Sequence, residues 1–168
     1  MPILFVHCLI IAPMLTDVKR ILFVCHGNIC RSPMAEIVFR DMLCRRGLQG
    51  RYEVASAATS TEELGNPVYP PARAELARHG LSAAGKTAVQ MTRRDYEHYD
   101  LLVAMDDNNV RNMHRMLSGD PQGKICKLLS FVGDQRDVAD PWFTGRFADT
   151  YADVERGCRA LLEALERE

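Results

Sequence analysis

The stretch Ile21-Leu-Phe-Val-Cys25-His-Gly-Asn-Ile-Cys30-Arg-Ser-Pro33 decides how this chain is read. Ile21 to Val24 is a continuous apolar run, as expected of a strand buried on both faces. Cys25 follows the run, and Arg31 stands six positions further on. Gly27 and Asn28 tolerate positive φ, so successive amide groups of the loop can turn inward as an anion nest. Ser32 can cap a following helix, and Pro33 suits its first position. Met34, Ile37, Val38 and Met42 then recur at helical spacing. A buried strand, a turn-prone loop and a helix start, in that order, make a cradle for phosphate.

The chemistry follows from the residue types. Arg31 offers a planar, permanently charged fork for two phosphate oxygens. Amide hydrogens, a helix N-terminus and a guanidinium favour the thiolate form of a cysteine among them. A thiolate attacking phosphorus gives a phosphocysteine without a metal. Ser32 is placed to donate to the Cys25 sulfur as it leaves. With six cysteines and 17 arginines in the chain, a bare Cys-x5-Arg pairing is weak evidence. The strand before it and the helix after it make it specific. A reading of Cys25, His26 and Cys30 as metal ligands fails for want of a fourth local ligand and a usual spacing. No cofactor is expected.

Outward from the loop, strand and helix alternate. Tyr52 to Ser56 reads as a second strand. Pro71 opens a short helix that Gly80 closes. Thr92 with Asp95 can cap another. Leu101 to Met105 is a third buried strand, followed by a helix carrying Val110, Met113 and Leu117. Ile125 to Leu129 is a fourth strand. Phe147, Tyr151, Val154, Cys158, Leu161, Leu162 and Leu165 form the apolar stripe of a last helix. The expected fold is α/β, a four-stranded, mostly parallel sheet flanked by helices on both faces, in a single domain. Ligands of such sheets sit at the carboxyl ends of strands, where Cys25 falls.

Composition bounds the rest. At 168 residues the chain suits one core, and 47% hydrophobic content is ordinary for a globular protein. A net charge of −1 implies no general attraction to nucleic acid or anionic membrane. The six cysteines include no CxxC pair and do not form a disulfide framework, which suits free thiols in a reducing cytoplasm. Residues 2–15 form an apolar run too short to span a bilayer, with no Lys or Arg before it as a signal peptide would carry. Residues 1–18 therefore read as an N-terminal extension or mis-assigned start, and residues 19–168 as the domain.

A leaving alkoxide or phenoxide needs a proton. Asp140-Pro141-Trp142-Phe143 is the best source: the proline holds Asp140 extended, and two aromatics can exclude water and wall a substrate ring. With that segment added, the chain resembles the low-molecular-weight protein tyrosine phosphatases over roughly residues 19–166. The resemblance includes Ser56-Ala-Ala-Thr-Ser60, Gly65-Asn-Pro67, Ala104-Met-Asp106 and the helix bearing Cys158. It implies Cys25 as nucleophile, Arg31 as clamp on phosphate and transition state, and Asp140 as acid and then base. It also implies that Asn28 and Ser32 organise the loop and that His79 and Asp106 buttress it. The residues expected around the substrate are His26, Gly27, Asn28, Ile29, Cys30, Ser32, Glu62, Trp142 and Phe143. The implied partner is a phosphotyrosine-containing protein, with the enzyme a monomer or weak dimer.

Three positions depart from the family pattern. His26 replaces an apolar residue. Glu62 stands where eukaryotic members carry an aromatic, and would repel acidic peptides. Phe143 replaces a tyrosine. Cys30 matches the cysteine that, in the family, traps an oxidised nucleophile as a disulfide. Three other functions fit parts of the pattern. A protein arginine phosphatase shares the scaffold, but related members have threonine at the position of Ile29. A thiol-coupled arsenate reductase needs two further cysteines between Cys44 and Cys126, where there are none. A phosphocysteine carrier would keep the cysteine loop but has no need of Asp140.

Overall fold

The computed structural model describes residues 17–168, so the N-terminal extension expected over residues 1–18 lies, up to residue 16, outside the described residues. Four strands, β1 (Lys19–Cys25), β2 (Tyr52–Ala58), β3 (Leu101–Ala104) and β4 (Ile125–Lys127), form one sheet in the order β2-β1-β3-β4. All three pairings are parallel, with Cys25 opposite Ala58 at the end of the β1–β2 ladder.

The apolar run of β1 is explained by the two layers it feeds. Ile21, Phe23 and Cys25 point into one cluster with helices α1 (Arg31–Arg45), α2 (Pro70–Arg78) and α6 (Phe147–Leu165). Leu22 and Val24 point into a second cluster, with Met91, Tyr99 and Met113 around α3 (Arg93–His98) and α4 (Asp107–Leu117). Alternate side chains of a strand face opposite ways, so a central strand covered on both faces must be apolar throughout. A four-residue helix, α5 (Pro141–Thr144), completes the six α-helices among the described residues.

Two local expectations are corrected. The fourth strand stops at Lys127, and Leu128–Val132 is a 3-10 helix. Leu128 and Leu129 are adjacent yet both buried in the α6 cluster. A strand would have turned one of them to the opposite face. Ser32 does not cap α1. Cys30 is the N-cap residue, and Pro33 is the third residue of the helix, where its missing N–H still costs no helical hydrogen bond. Thr92 and Asp95 do form the expected capping box. No helix among the described residues is long and apolar enough to cross a membrane.

Candidate active site

Cys25 ends β1 and α1 begins at Arg31, so residues 26–30 must turn the chain within five residues. The turn is made at Asn28, whose φ is +58°. Gly27 is not in the left-handed region, contrary to the expectation that both residues share it. A Cβ at Gly27 would lie 3.4 Å from Cγ of Glu63, an ordinary van der Waals contact, so neither backbone angle nor space demands glycine there. The Asn28 amide N–H donates to Cys25 Sγ at 3.3 Å.

Behind the sulfur lies a buried hydrogen-bond network. Ser32 Oγ is 3.0 Å from Cys25 Sγ and accepts from Asn28 Nδ2 at 2.8 Å. The Ser32 hydroxyl proton has two acceptors in reach, the sulfur at 3.0 Å and the Ala57 carbonyl at 3.5 Å, and the sulfur is the nearer. Asn28 Nδ2 also donates to Ser56 Oγ at 2.9 Å, and Ser56 Oγ donates to the buried carboxylate of Glu36. Glu36 is held in turn by Arg40 and Lys86. From the sequence, Ser56 stands only at the head of a segment shared with the family, and Glu36 does not stand out at all. Glu36 precedes Arg40 by four residues, the mark of an exposed helical ion pair, and nothing local showed that it faces inward.

In front of the sulfur a cavity of about 180 Å³ opens. Its lining includes Cys25, His26, Gly27, Ile29, Cys30, Arg31, Glu62, Asp140, Trp142 and Phe143. Glu63, which sequence reading missed, lines it too. Asn28 and Ser32 are almost wholly buried and stand behind the loop.

Arg31 is 2% exposed and faces two carboxylates. Its Nη1 donates to Asp106 Oδ2 at 2.6 Å and to the Val138 carbonyl at 3.1 Å. Its Nη2 donates to Asp140 Oδ2 at 3.0 Å. Burial works against the charge, but Cys25, Asp140 and Asp106 outweigh it and raise the guanidinium above its ordinary range. Asp106 also caps α4 by accepting from the Asn109 N–H. Asp140 is extended, with φ −77° and ψ 111°, and its Oδ1 caps α5 through the Trp142 N–H. Cys30 is different in kind from an activated thiol: burial first, then Cys25 and Asp140, push it up to about 12.

The rim combines the departures noted in the sequence. His26 Nε2 and Glu62 Oε2 are 3.1 Å apart, so these two residues are partners. Trp142 packs on Tyr69, with ring centroids 4.8 Å apart, while Phe143 is 85% exposed. His79 does not reach the loop. Its ring stacks on Tyr151 at 3.6 Å and its Nε2 meets Glu75, one turn earlier on α2. Neither His79 nor these partners line the cavity, and the Glu75 carboxylate holds the imidazole beside its own helix.

A cysteine, an arginine and an aspartate from three separate segments thus converge on one concavity. Residues 20–168 match the family model of the low molecular weight phosphotyrosine protein phosphatases. The chain belongs to that family. It is 37% identical over 150 residues to the Bacillus subtilis low molecular weight protein-tyrosine-phosphatase YfkJ, covering 88% of this chain and 96% of that one. The crystal structure of YfkJ superposes with a TM-score of 0.87 over 90% of this chain and 96% of the other. The human low molecular weight phosphotyrosine protein phosphatase is 37% identical, with 86% and 94% coverage. An arginine phosphatase, YwlE, solved as a cysteine-to-serine mutant with a phosphorylated active-site serine, is 27% identical, with a TM-score of 0.80 over 89% of this chain and 97% of that one. As a member of the phosphotyrosine phosphatase family, this chain matches nearly the full length of its relatives.

Proposed function

We propose that the protein is a metal-independent phosphomonoesterase that hydrolyses phosphotyrosine in protein substrates through a phosphocysteine on Cys25. The observation that carries this reading is the shared cavity of Cys25, Arg31 and Asp140, with Asp140 paired to the same guanidinium that would hold the phosphoryl group. Cys25 Sγ attacks phosphorus, and the bond from phosphorus to the phenolic oxygen breaks. The departing oxygen takes the electron pair and a proton from Asp140. Water then attacks phosphorus, giving a proton to the Asp140 carboxylate, and the sulfur leaves toward the Ser32 hydroxyl. Arg31 and the loop amides stabilise charge on the equatorial oxygens in both steps. A bound phosphoryl dianion competes with Asp140 for Nη2, which frees the carboxyl to face the leaving oxygen.

In YwlE a serine introduced in place of a cysteine is found phosphorylated in the active site, which supports a covalent intermediate on this scaffold. Arginine phosphatase activity is the second reading. Ile29 lines the cavity with an apolar side chain that disfavours a guanidinium phosphate, and YwlE is the less similar relative. Arsenate reduction and a carrier role are less favoured, the first for want of relay cysteines and the second because Asp140 sits at the clamp. Cys30 is read as the thiol that condenses with a sulfenic acid on Cys25, releasing water. The five described cysteines are free, which suits a cytoplasmic enzyme. We read the enzyme as a monomer or weak dimer with no nucleic acid or membrane partner.

A phosphopeptide panel assayed with wild type beside Asp140→Ala tests reaction, acid and specificity together. Wild type is expected to hydrolyse phosphotyrosine peptides, and the variant to lose about a hundredfold or more, as for loss of a general acid. Preference for phosphoarginine peptides, or undiminished activity of the variant, would contradict the reading.

A further inference from the structure

We propose that Lys127 is a positioning residue for the acid, locking the segment that carries Asp140 against the N-terminus of α4. The inference rests on Asp140 being the acid of the proposed reaction.

Lys127 closes β4 and its side chain is only 12% exposed. An ammonium has three donors and no acceptor. All three find oxygen. Nζ donates to the Gln135 carbonyl at 2.6 Å and to Asp137 Oδ1 at 2.9 Å, and it meets Asp107 Oδ1 at 2.9 Å. Gln135 and Asp137 lie in the segment leading to Asp140, and Asp107 opens α4. The Asp107 N–H donates to the same Asp137 oxygen at 3.1 Å.

The next residue makes the link to the catalytic centre. The Val138 N–H donates to the Met105 carbonyl, and the Val138 carbonyl accepts from Arg31 Nη1. Asp106, adjacent to Asp107, takes that same Nη1. The two segments tied together at Lys127 are therefore the two that present carboxylates to Arg31. Removing the ammonium would leave the Asp107 and Asp137 carboxylates side by side with no cation between them. Arg136, the other cation of the segment, is turned away to Asp134 and Asp153. Both aspartates are substantially exposed, so the pairs add little to folding stability, and the effect of the lysine falls on placement.

The test compares kcat/KM for phenyl phosphate and p-nitrophenyl phosphate in wild type, Lys127→Met, Lys127→Gln and Asp140→Asn. Phenol is the poorer leaving group and depends more on the acid. Unfolded protein would lower both substrates alike, so the ratio is blind to it, and the two lysine variants guard against one failing to fold. Both are expected to lose about tenfold with phenyl phosphate and about twofold with p-nitrophenyl phosphate, a weaker copy of the Asp140→Asn pattern. Adding Lys127→Met to Asp140→Asn should change the ratio no further. Equal losses on both substrates in the lysine variants, with Asp140→Asn keeping its bias, would overturn the role of Lys127 alone. Equal losses in Asp140→Asn would remove the acid itself, and the inference with it.

Discussion

Asn28 uses every hydrogen-bonding atom of its side chain behind the sulfur. Nδ2 donates to Ser32 and Ser56, and Oδ1 accepts from the Val89 N–H at 3.1 Å. Its backbone sits at φ +58°, a conformation asparagine tolerates better than residues lacking a short polar side chain. The loop shape and the orientation of Ser32 are therefore set by one residue. Asn28→Ala should lower folding stability by about 3 kcal/mol, combining buried partners left unpaired with an alanine held at positive φ. Urea unfolding of the two proteins measures this. A difference under about 0.5 kcal/mol, the range of an ordinary surface substitution, would show that the network does not hold the loop. The sequence already pointed to Asn28 through its tolerance of positive φ. Of its three partners Ser32 lies in the same loop, but Ser56 and Val89 were out of reach, because they come from distant segments that only the fold brings near.

At the scale of elements, α6 shows what a periodic pattern can and cannot reveal. Its apolar stripe delimited the helix from Phe147 to Leu165 in agreement with the structure. The stripe omitted Gly157, whose lack of a side chain is what lets the 3-10 segment after β4 come close. A Cβ there would lie 2.5 Å from Cγ of Leu128, an atom near the root of its side chain. Gly157→Ala gains about 1 kcal/mol in helix propensity but should lose about 1–3 kcal/mol to overpacking. The expected net result is a lower thermal midpoint. A raised midpoint would mean that α6 and Leu128 are not in close contact. The same contact explains why Ile125 to Leu129 is not one strand: apart from Lys127 the run is apolar, and only its packing partner makes its second half helical. Strands β1, β2 and β3 and the helix after Cys25 are legible because each buries a continuous or periodic apolar set, whereas the short, half-buried β4 is legible only in part. A motif match carries no direction: the His79 ring is held by Glu75 and Tyr151.

For the whole molecule, the decisive fact is where the chain changes sides. From β1 it crosses one face through α1 to β2, then passes by way of α3 on the other face to β3. Strands β2 and β3 flank β1, so the crevice opens at the carboxyl end of β1, as expected of open parallel sheets. Cys25 stands at that end, with the start of α1 supplying Arg31 and the segment after β4 supplying Asp140. The fold thus brings Asp140 to the loop of Cys25 and Arg31, from which it is separated by more than a hundred residues of sequence. The central claim is that the sulfur itself carries the phosphoryl group. The most direct measurement is mass spectrometry of the chain quenched in denaturant during turnover of p-nitrophenyl phosphate in EDTA, with Cys25→Ala beside it. One phosphoryl group is expected on the Cys25 peptide of the wild type, and neither adduct nor turnover in the variant. A phosphoryl group on any other residue, or continued hydrolysis by Cys25→Ala, would contradict it.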